Sequence, residues 1–243
     1  MRLKSKILQK AIPKHLAIIL DGNGRWAKKR GLSRQMGHKQ GAMNLQRITL
    51  AAHEIGVKTL SVYAFSTENW KRPKEEISYL MTLPKLFEDE YKEDFKEYDI
   101  KVVFSGRRDR MSEANQALIK RVEEKTKDRQ GLILNVCLDY GSQYEIARAA
   151  KQVASDVLNK KYGLEAINES KIEAHLYTKD LPSVDLLIRT SGEIRLSNFL
   201  LWQVAYAEFY FTKKHWPAFN EKALYKAISH YQKRNRKFGG LKE

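Results

Sequence analysis

Six short apolar runs, rich in β-branched residues, recur along the chain, each separated from the next by a stretch with helical spacing. They are 16–20 (LAIIL), 59–65 (TLSVYAF), 100–105 (IKVVFS), 132–138 (LILNVCL), 185–190 (DLLIRT) and 207–212 (AEFYFT). Runs apolar on both faces predict strands buried on both sides, as in a parallel sheet. Between them, Leu45, Ile48, Ala52 and Ile55 step by three and four, and Gly56 suits a helix stop. Leu80, Leu83, Phe87, Tyr91 and Phe95 form a second stripe, which Pro84 is expected to kink. Ser112 is expected to cap a helix across 113–128, Ser170 a short later one and Asn220 the last. Ile146, Ala150, Val153 and Val157 mark another over 143–159. Strand alternating with helix predicts a doubly wound α/β domain. Ligands of such sheets bind beyond the carboxyl ends of the strands, so the loops after residues 20, 65 and 190 are the informative ones.

Nothing divides the chain into parts. Its 243 residues, 42% hydrophobic, suffice for one core, and no Pro/Gly/Ser-rich linker interrupts them. We expect a single domain over 1–243, with residues 1–14 as a basic N-terminal arm. No apolar stretch approaches the ~20 residues of a membrane span. The N-terminus lacks the apolar core and cleavage site of a secretory signal. The lone Cys137 excludes a disulfide framework and a multi-cysteine metal site. A protein of a reducing, cytoplasmic compartment is expected. The net charge of +16 gathers at the ends, with +10 in residues 1–40 and +7 in 213–243. Nucleic acid, a small diphosphate or an anionic membrane would each attract such ends. No groove-entering or base-stacking motif accompanies the charge, so no nucleic-acid partner is expected.

The first loop reads Asp21-Gly22-Asn23-Gly24-Arg25-Trp26. Its glycines permit a tight bend and close approach to a ligand. Amides at a following helix start would face an anion, and Arg25 adds charge-assisted donors. A type I′ hairpin is the plainer alternative, but no second β-run follows. An acid beside a phosphate cradle suits Mg²⁺, which takes one or two carboxylates together with substrate oxygens. Arg34 and His38, four apart, would share a helix face, as would any ordinary surface pair. The second loop, Ser66-Thr67-Glu68-Asn69-Trp70-Lys71-Arg72-Pro73, packs many polar groups after a buried strand. Trp70 and Arg72 suit an apolar group and its anionic head; otherwise Ser66 to Asn69 cap the helix beginning near Glu75. The third loop places Arg189, Arg195 and Ser197 around a turn, a plausible diphosphate clamp. Glu208, among apolar neighbours, needs a cation, a metal or a proton. The six histidines show no metal-ligand spacing, Cys137 reads as core, and the acidic run 88–94 reads as a solvated face.

Taken in order, these blocks resemble the cis-prenyltransferases. The resemblance rests on Asp21 to Trp26, Arg34 with Gly37-His38, and Tyr63 to Trp70 with Arg72-Pro73. It continues through Arg189 to Glu193, Arg195 to Gln203, Ala205 to Glu208 and Arg236 to Gly240. It implies a homodimer, with a six-stranded mainly parallel sheet flanked by helices and an apolar tunnel. It also implies successive condensation of isopentenyl diphosphate onto farnesyl diphosphate, with Mg²⁺, giving a long cis-polyprenyl diphosphate such as undecaprenyl diphosphate, a cell-wall lipid carrier precursor. By position, Asp21 would be the catalytic acid that places the metal, and Glu208 a further metal position. Gly22, Asn23, Gly24, Arg25, Arg34 and His38 would hold the allylic diphosphate, beside Trp26. Asn69 would mark the proton-acceptor site, with Ser66, Thr67, Glu68, Trp70 and Arg72 around the substrates. Arg189, Arg195, Leu196 and Ser197 would bind isopentenyl diphosphate. Since an amide is a poor base, Asn69 is expected to orient groups while phosphate or solvent takes the proton.

One stretch departs from the family pattern. Asp139-Tyr140-Gly141-Ser142-Gln143 stands where the family shows Asn-Tyr-Gly-Gly-Arg, removing a cation and adding an acid. For the tunnel, the stripe Leu80 to Phe95 is the expected wall, Leu132 the floor and Ala64 the open entrance. The basic arm, Arg2 to Lys14, is expected to favour transient contact with the inner face of the membrane.

Overall fold

The computed structural model describes residues 2–82, 84–85, 89 and 92–234. All six expected strands form: β1 (His15–Ile19), β2 (Thr59–Ser66), β3 (Lys101–Ser105), β4 (Ile133–Tyr140), β5 (Leu186–Arg189) and β6 (Glu208–Phe211). They make one sheet in the order β3-β4-β2-β1-β5-β6, and every neighbouring pair is parallel. The helices are α1 (Arg2–Ile7), α2 (Asn23–Lys28), α3 (Arg34–Glu54), α4 (Lys74–Leu80), α5 (Lys92–Glu97), α6 (Glu113–Thr126), α7 (Ser142–Leu158), α8 (Glu169–Glu173) and α9 (Glu221–Tyr231). After β1 the chain winds toward β2, and only later adds β5 on β1's other side. The crevice between the carboxyl ends of β1 and β5 is therefore the topological switch point of the sheet.

The expected caps mostly hold. The Ser112 hydroxyl accepts from Asn115 N at 3.3 Å, and the Asn220 side chain from Ala223 N at 3.1 Å. Gly56, at φ 88°, takes the left-handed residue that closes α3. Ser170 does not cap α8. Asn168 stands at that position in extended backbone and accepts from Lys171 N at 3.3 Å, while the Ser170 hydroxyl merely donates to it. Nor does Pro84 kink one continuous stripe: α4 has already closed at Leu80, with Met81 as its cap. Phe95 is buried in the core, whereas Leu83, Phe87 and Tyr91, like the block Arg236 to Gly240, lie outside the described residues.

Alternate residues of each strand enter two cores. One face carries Leu16, Ile18, Leu60, Val62, Leu134, Val136 and Ile188 against α3, α6 and α9. The other carries Ala17, Ile19, Tyr63, Cys137 and Leu187 beneath Phe199, Leu200 and Val204. That second face is less uniformly apolar than the runs suggest. His15, Ser61, Asn135 and Ser105 form a buried polar thread across four strands. His15 Nε2 lies 2.8 Å from Ser61 Oγ, which accepts from Asn135 Nδ2 at 2.9 Å. Asn135 Oδ1 in turn accepts from the Ser105 hydroxyl at 2.8 Å. The N-terminal arm is anchored rather than loose. Ile7 is fully buried, and Gln232 of the turn after α9 donates to the Ile7 carbonyl at 2.8 Å. No helix among the described residues is long and apolar enough to cross a membrane.

Candidate active site

Asp21 stands two residues beyond β1, at the switch point. Its backbone carbonyl accepts from Thr190 Oγ1 at 2.7 Å and from Trp216 N at 3.0 Å, which fixes the loop from two sides. Its carboxylate accepts from Arg189 Nη2 at 3.0 Å and from Arg25 Nη2 at 3.1 Å. Gly22 then turns the chain at φ 102°, and a Cβ there would meet Ser191 Oγ at 2.5 Å, so the turn requires glycine on two counts. The hairpin alternative is excluded, because α2 begins at Asn23. The first i to i−4 bond runs from Trp26 N to Gly22 O, leaving the amides of residues 23 to 25 at the helix start. Gly37 lets α3 pass close beneath: a Cβ there would lie 2.3 Å from the Asn23 carbonyl.

The third loop carries Glu193, which accepts from Arg25 at 3.0 Å and from Arg195 at 2.7 Å. The Arg195 guanidinium holds that carboxyl below its ordinary range. Arg189, nearly buried, also donates to Ser197 Oγ at 2.8 Å and to the Arg195 carbonyl. Its Nε is buried without a protein partner. Three guanidiniums thus converge on two carboxylates, Asp21 and Glu193. Ser191, Ser197, Asn198 and Leu200 all adopt left-handed backbone, at φ 79°, 50°, 62° and 48°. Such positions persist only where surrounding contacts over-determine them. Here Asn198 supplies them, accepting from Gln143 N at 2.8 Å and donating to Glu68 Oε1 at 3.0 Å.

A second group of basic side chains, two of them guanidiniums, gathers on α3 and the second loop. Arg72 Nη1, His38 Nε2 and Arg34 Nη2 lie 2.9, 3.3 and 3.6 Å from one oxygen, Oε1 of Glu76 on α4. Burial lowers the His38 pKa, and the Glu76 carboxylate opposes that shift. The second loop forms a 3₁₀ turn over Thr67–Lys71, in which Ser66 and Asn69 cap each other reciprocally. The capping reading of this loop is thus right in kind, although the element capped is this turn and not α4.

Both groups of cations face one cavity of about 400 Å³. Of the residues singled out in the sequence, it is lined by Asp21, Gly22, Asn23, Gly24, Arg25, Arg34, His38, Ser66, Asn69, Arg72, Arg189, Arg195 and Ser197. Its remaining wall is largely apolar, with Leu45, Ala64, Leu80, Pro84, Phe104, Val136 and Leu138. Leu132 is fully buried but does not line it, because the start of β4 is covered by core side chains. Six singled-out residues sit elsewhere. Trp26 lies under the Arg30 guanidinium, Leu196 packs on the second core, and Thr67 approaches Gly141. Glu68 ties the second loop to Asn198. Trp70 does not face the cavity. Its Nε1 donates to Asp139 at 2.8 Å, and its ring packs edge-on against Phe65. Glu208 begins β6 in register with Leu186, three residues before Arg189, and lies 3.8 Å from Arg234 Nε.

The departure at Asp139 is accommodated. Its carboxylate is fully buried, receives both Trp70 and the Arg110 guanidinium, and so fastens the second loop to the end of β4. Sequence reasoning missed Glu76, and it gave no role to Glu193 and Asn198 although both stand in the blocks that carry the resemblance. Only the i, i+4 spacing of Arg72 and Glu76 hinted at one of them.

The chain matches known proteins over nearly its whole length. Residues 19–239 match the prenyltransferase family described as "Putative undecaprenyl diphosphate synthase". An isoprenyl transferase of Halalkalibacterium halodurans is 50% identical over 233 residues, covering 96% of this chain and 91% of that protein. One from Streptococcus mutans is 48% identical, covering 99% and 98%. Among solved structures, lavandulyl diphosphate synthase from Lavandula x intermedia, in complex with dimethylallyl diphosphate, superposes with a TM-score of 0.91. It is 37% identical, over 94% of this chain and 99% of that one. A probable undecaprenyl diphosphate synthase from Campylobacter jejuni gives 0.77 at 35% identity, over 95% and 100%. The chain therefore belongs to the undecaprenyl diphosphate synthase family of prenyltransferases, and is a transferase that elongates prenyl chains.

Proposed function

We propose that this enzyme condenses isopentenyl diphosphate repeatedly onto farnesyl diphosphate, giving a long cis-polyprenyl diphosphate, undecaprenyl diphosphate, for cell-wall lipid carrier synthesis. One observation carries the reading: a single cavity has two separate groups of cations at one end and apolar walls elsewhere. Two anionic heads and one growing hydrocarbon chain need that division. The complex of lavandulyl diphosphate synthase with dimethylallyl diphosphate supports an allylic diphosphate as a ligand of this fold.

The allylic C–O bond must weaken as negative charge grows on the departing diphosphate. The amides at the α2 start, with Arg34 and His38, are placed to receive that charge, and preorganised donors of this kind are the main source of such catalysis. Arg189, Arg195 and Ser197 would hold isopentenyl diphosphate, with Arg25 tied to the same cluster through Asp21 and Glu193. Asn69 and Ser66 line the same cavity and would orient the reacting carbon chain. The proton leaves to diphosphate or solvent.

Mg²⁺ fits the donor set here. Among the described residues no group of three His, Cys, Asp or Glu side chains could cage a metal. A single partly exposed carboxylate, Asp21, faces the diphosphate pocket, and Mg²⁺ is commonly held by one carboxylate plus substrate phosphates and water. The metal would supply further neutralisation of the leaving group. Glu208, at the start of β6, does not line this cavity. The exposed Tyr206 and Phe209, just before and within the edge strand β6, suit the expected homodimer. The long product implies peripheral contact with the inner face of the membrane from a cytoplasmic enzyme.

Product analysis after incubation with farnesyl diphosphate, labelled isopentenyl diphosphate and Mg²⁺ tests the reading. A ladder of products ending at a long chain is expected. No incorporation, or a single condensation only, overturns it.

A further inference from the structure

We infer that the back of α3, with the turn before it, docks on an anionic lipid bilayer. The inference deepens the reading that the product is a long lipid, and rests on it. Leu32, Met36 and Met43 are 41%, 49% and 48% exposed, unusual for large apolar side chains. Met36 and Met43, seven residues apart, project within about 20° of each other around the helix, and exposed Lys39 falls about 60° to one side. Arg34, His38 and Leu45 face the cavity from the opposite side of the same helix. One helix, about 10–12 Å across, thus separates the reaction cavity from this exposed stripe.

Charge identifies the occupant. From Gly22 to His53 the chain carries seven Lys and Arg residues and no acid. Arg25, Arg34 and Arg47 are engaged with carboxylates, while Lys28, Lys29, Arg30 and Lys39 are exposed around the apolar stripe. Apolar anchors ringed by cations are the chemistry of an anionic membrane interface: the side chains enter the headgroup boundary and the cations meet lipid phosphates. The largest other group of exposed apolar side chains in one stretch lacks that uniform surround. Leu158, Leu164 and Ile167 share their stretch of chain with Glu165 and Glu169 as well as Lys160, Lys161 and Lys171, so the charge there is mixed. The N-terminal arm has spent most of its apolar side on the fold, with Ile7 buried, Leu3 packed on the core and Lys4 bridged to Glu54. It offers a single anchor, Leu8, where the α3 face and the turn before it offer three.

Vesicle sedimentation of the full-length enzyme tests this, with phosphatidylcholine alone and with phosphatidylcholine–phosphatidylglycerol mixtures. Binding to the mixed vesicles only is expected. Met36→Ser/Met43→Ser and Lys28→Gln/Lys39→Gln should each weaken it about tenfold or more. Neither should change a single condensation of isopentenyl diphosphate onto farnesyl diphosphate in vesicle-free buffer. Condensation is read separately, so its absence in the parent enzyme would fail the functional reading and not the docking surface. Unchanged vesicle binding in both α3 variants overturns the inference. So does loss of binding in Lys6→Gln/Lys10→Gln of the arm while the α3 variants still bind. Dissociation of an oligomer by the methionine variants without any lipid effect would assign the face to a second copy of the chain instead.

Discussion

Asp21 and Arg195 show how differently two charged residues of one site are held. Asp21 shares its carboxylate between Arg25 and Arg189, with its backbone pinned by Thr190 and Trp216, so its position is set before any substrate arrives. Asp21→Ala should leave the circular dichroism spectrum unchanged and lower prenyl transfer by about 10²–10³-fold, the loss of a principal electrostatic group. Full activity in that variant, or in excess chelator, would remove Asp21 from the chemistry. Arg195 is 62% exposed and contacts Glu193 alone among acids, whereas Arg189 is 4% exposed and holds Asp21, Ser197 and the Arg195 carbonyl. Arg195→Ala should therefore raise the KM for isopentenyl diphosphate about ten- to a hundredfold at unchanged stability. Arg189→Ala should do the same and also cost about 3 kcal/mol of unfolding free energy, because it leaves a carboxylate short of its buried partner. Equal weakening of both substrates by Arg195→Ala would show that the diphosphate sites are divided otherwise. At this scale the sequence was informative wherever a charge ended a strand. It was silent on Glu76 and Glu193, whose partners arrive from other elements or other turns of the chain. It misplaced Trp70, because an indole can serve a ligand or an anchor equally well until Asp139 and Arg110 are seen beside it.

The elements that shape the site are joined by few but specific ties. Glu76 is the charged link from α4 to Arg34 and His38 of α3 and to Arg72 of the second loop, all on one oxygen. Without it, the Arg34 and Arg72 guanidiniums repel beside His38 with nothing to order them. Glu76→Gln should raise the KM for farnesyl diphosphate about tenfold through that loss of preorganisation, with the isopentenyl diphosphate KM changing much less. A lower farnesyl diphosphate KM would mean that Glu76 acts instead as a competing anion. The cavity walls also revise the expectation for product length. Ala64 of β2 lines the cavity beside the catalytic loop, so Ala64→Leu should shift products to shorter chains. Leu132→Ala should leave chain length unmoved and cost stability, about 2–5 kcal/mol, since that side chain is core and not floor. Chromatography of the products separates the two. Strand positions were legible because an apolar run of five to eight residues between turn signals has few other meanings. Helix limits were less so: whether Asn168 or Ser170 caps α8, and where α4 stops ahead of Pro84, depend on single hydrogen bonds that no periodicity records.

Across the whole molecule, a parallel sheet covered by helices buries both faces of its inner strands, though not of the edge strand β6, and that explains what the apolar runs concealed. A two-sided interior tolerates polar residues only when every one is satisfied, and the thread through the second face meets that condition. His15 Nδ1 lies 2.6 Å from the Pro182 carbonyl, which can only accept, so the proton sits on Nδ1 and Nε2 accepts from Ser61. Ser61 in turn accepts from Asn135, and Asn135 from Ser105, closing the thread with a neutral imidazole. Protonating His15 would place a second donor against the Ser61 hydroxyl in a site with no exposure. Burial accordingly lowers its pKa from 6.5 to about 4, despite the Pro182 bond and the Asp185 charge. The folded value lies below the unfolded one, so between them the unfolded chain binds the extra proton. The contribution of His15 to stability is complete above pH 6.5 and is lost as the pH falls toward 4, reaching about 3 kcal/mol. Urea unfolding across that range should show the parent losing stability steadily with acid. His15→Gln, which keeps one donor and one acceptor but does not titrate, should start less stable and decline less. Carboxylates contribute to both curves at the acid end, so the informative quantity is the difference between them. That difference should shrink as the pH drops from 6.5 toward 4, and a constant gap would mean that the thread already carries a charged imidazole in the folded protein.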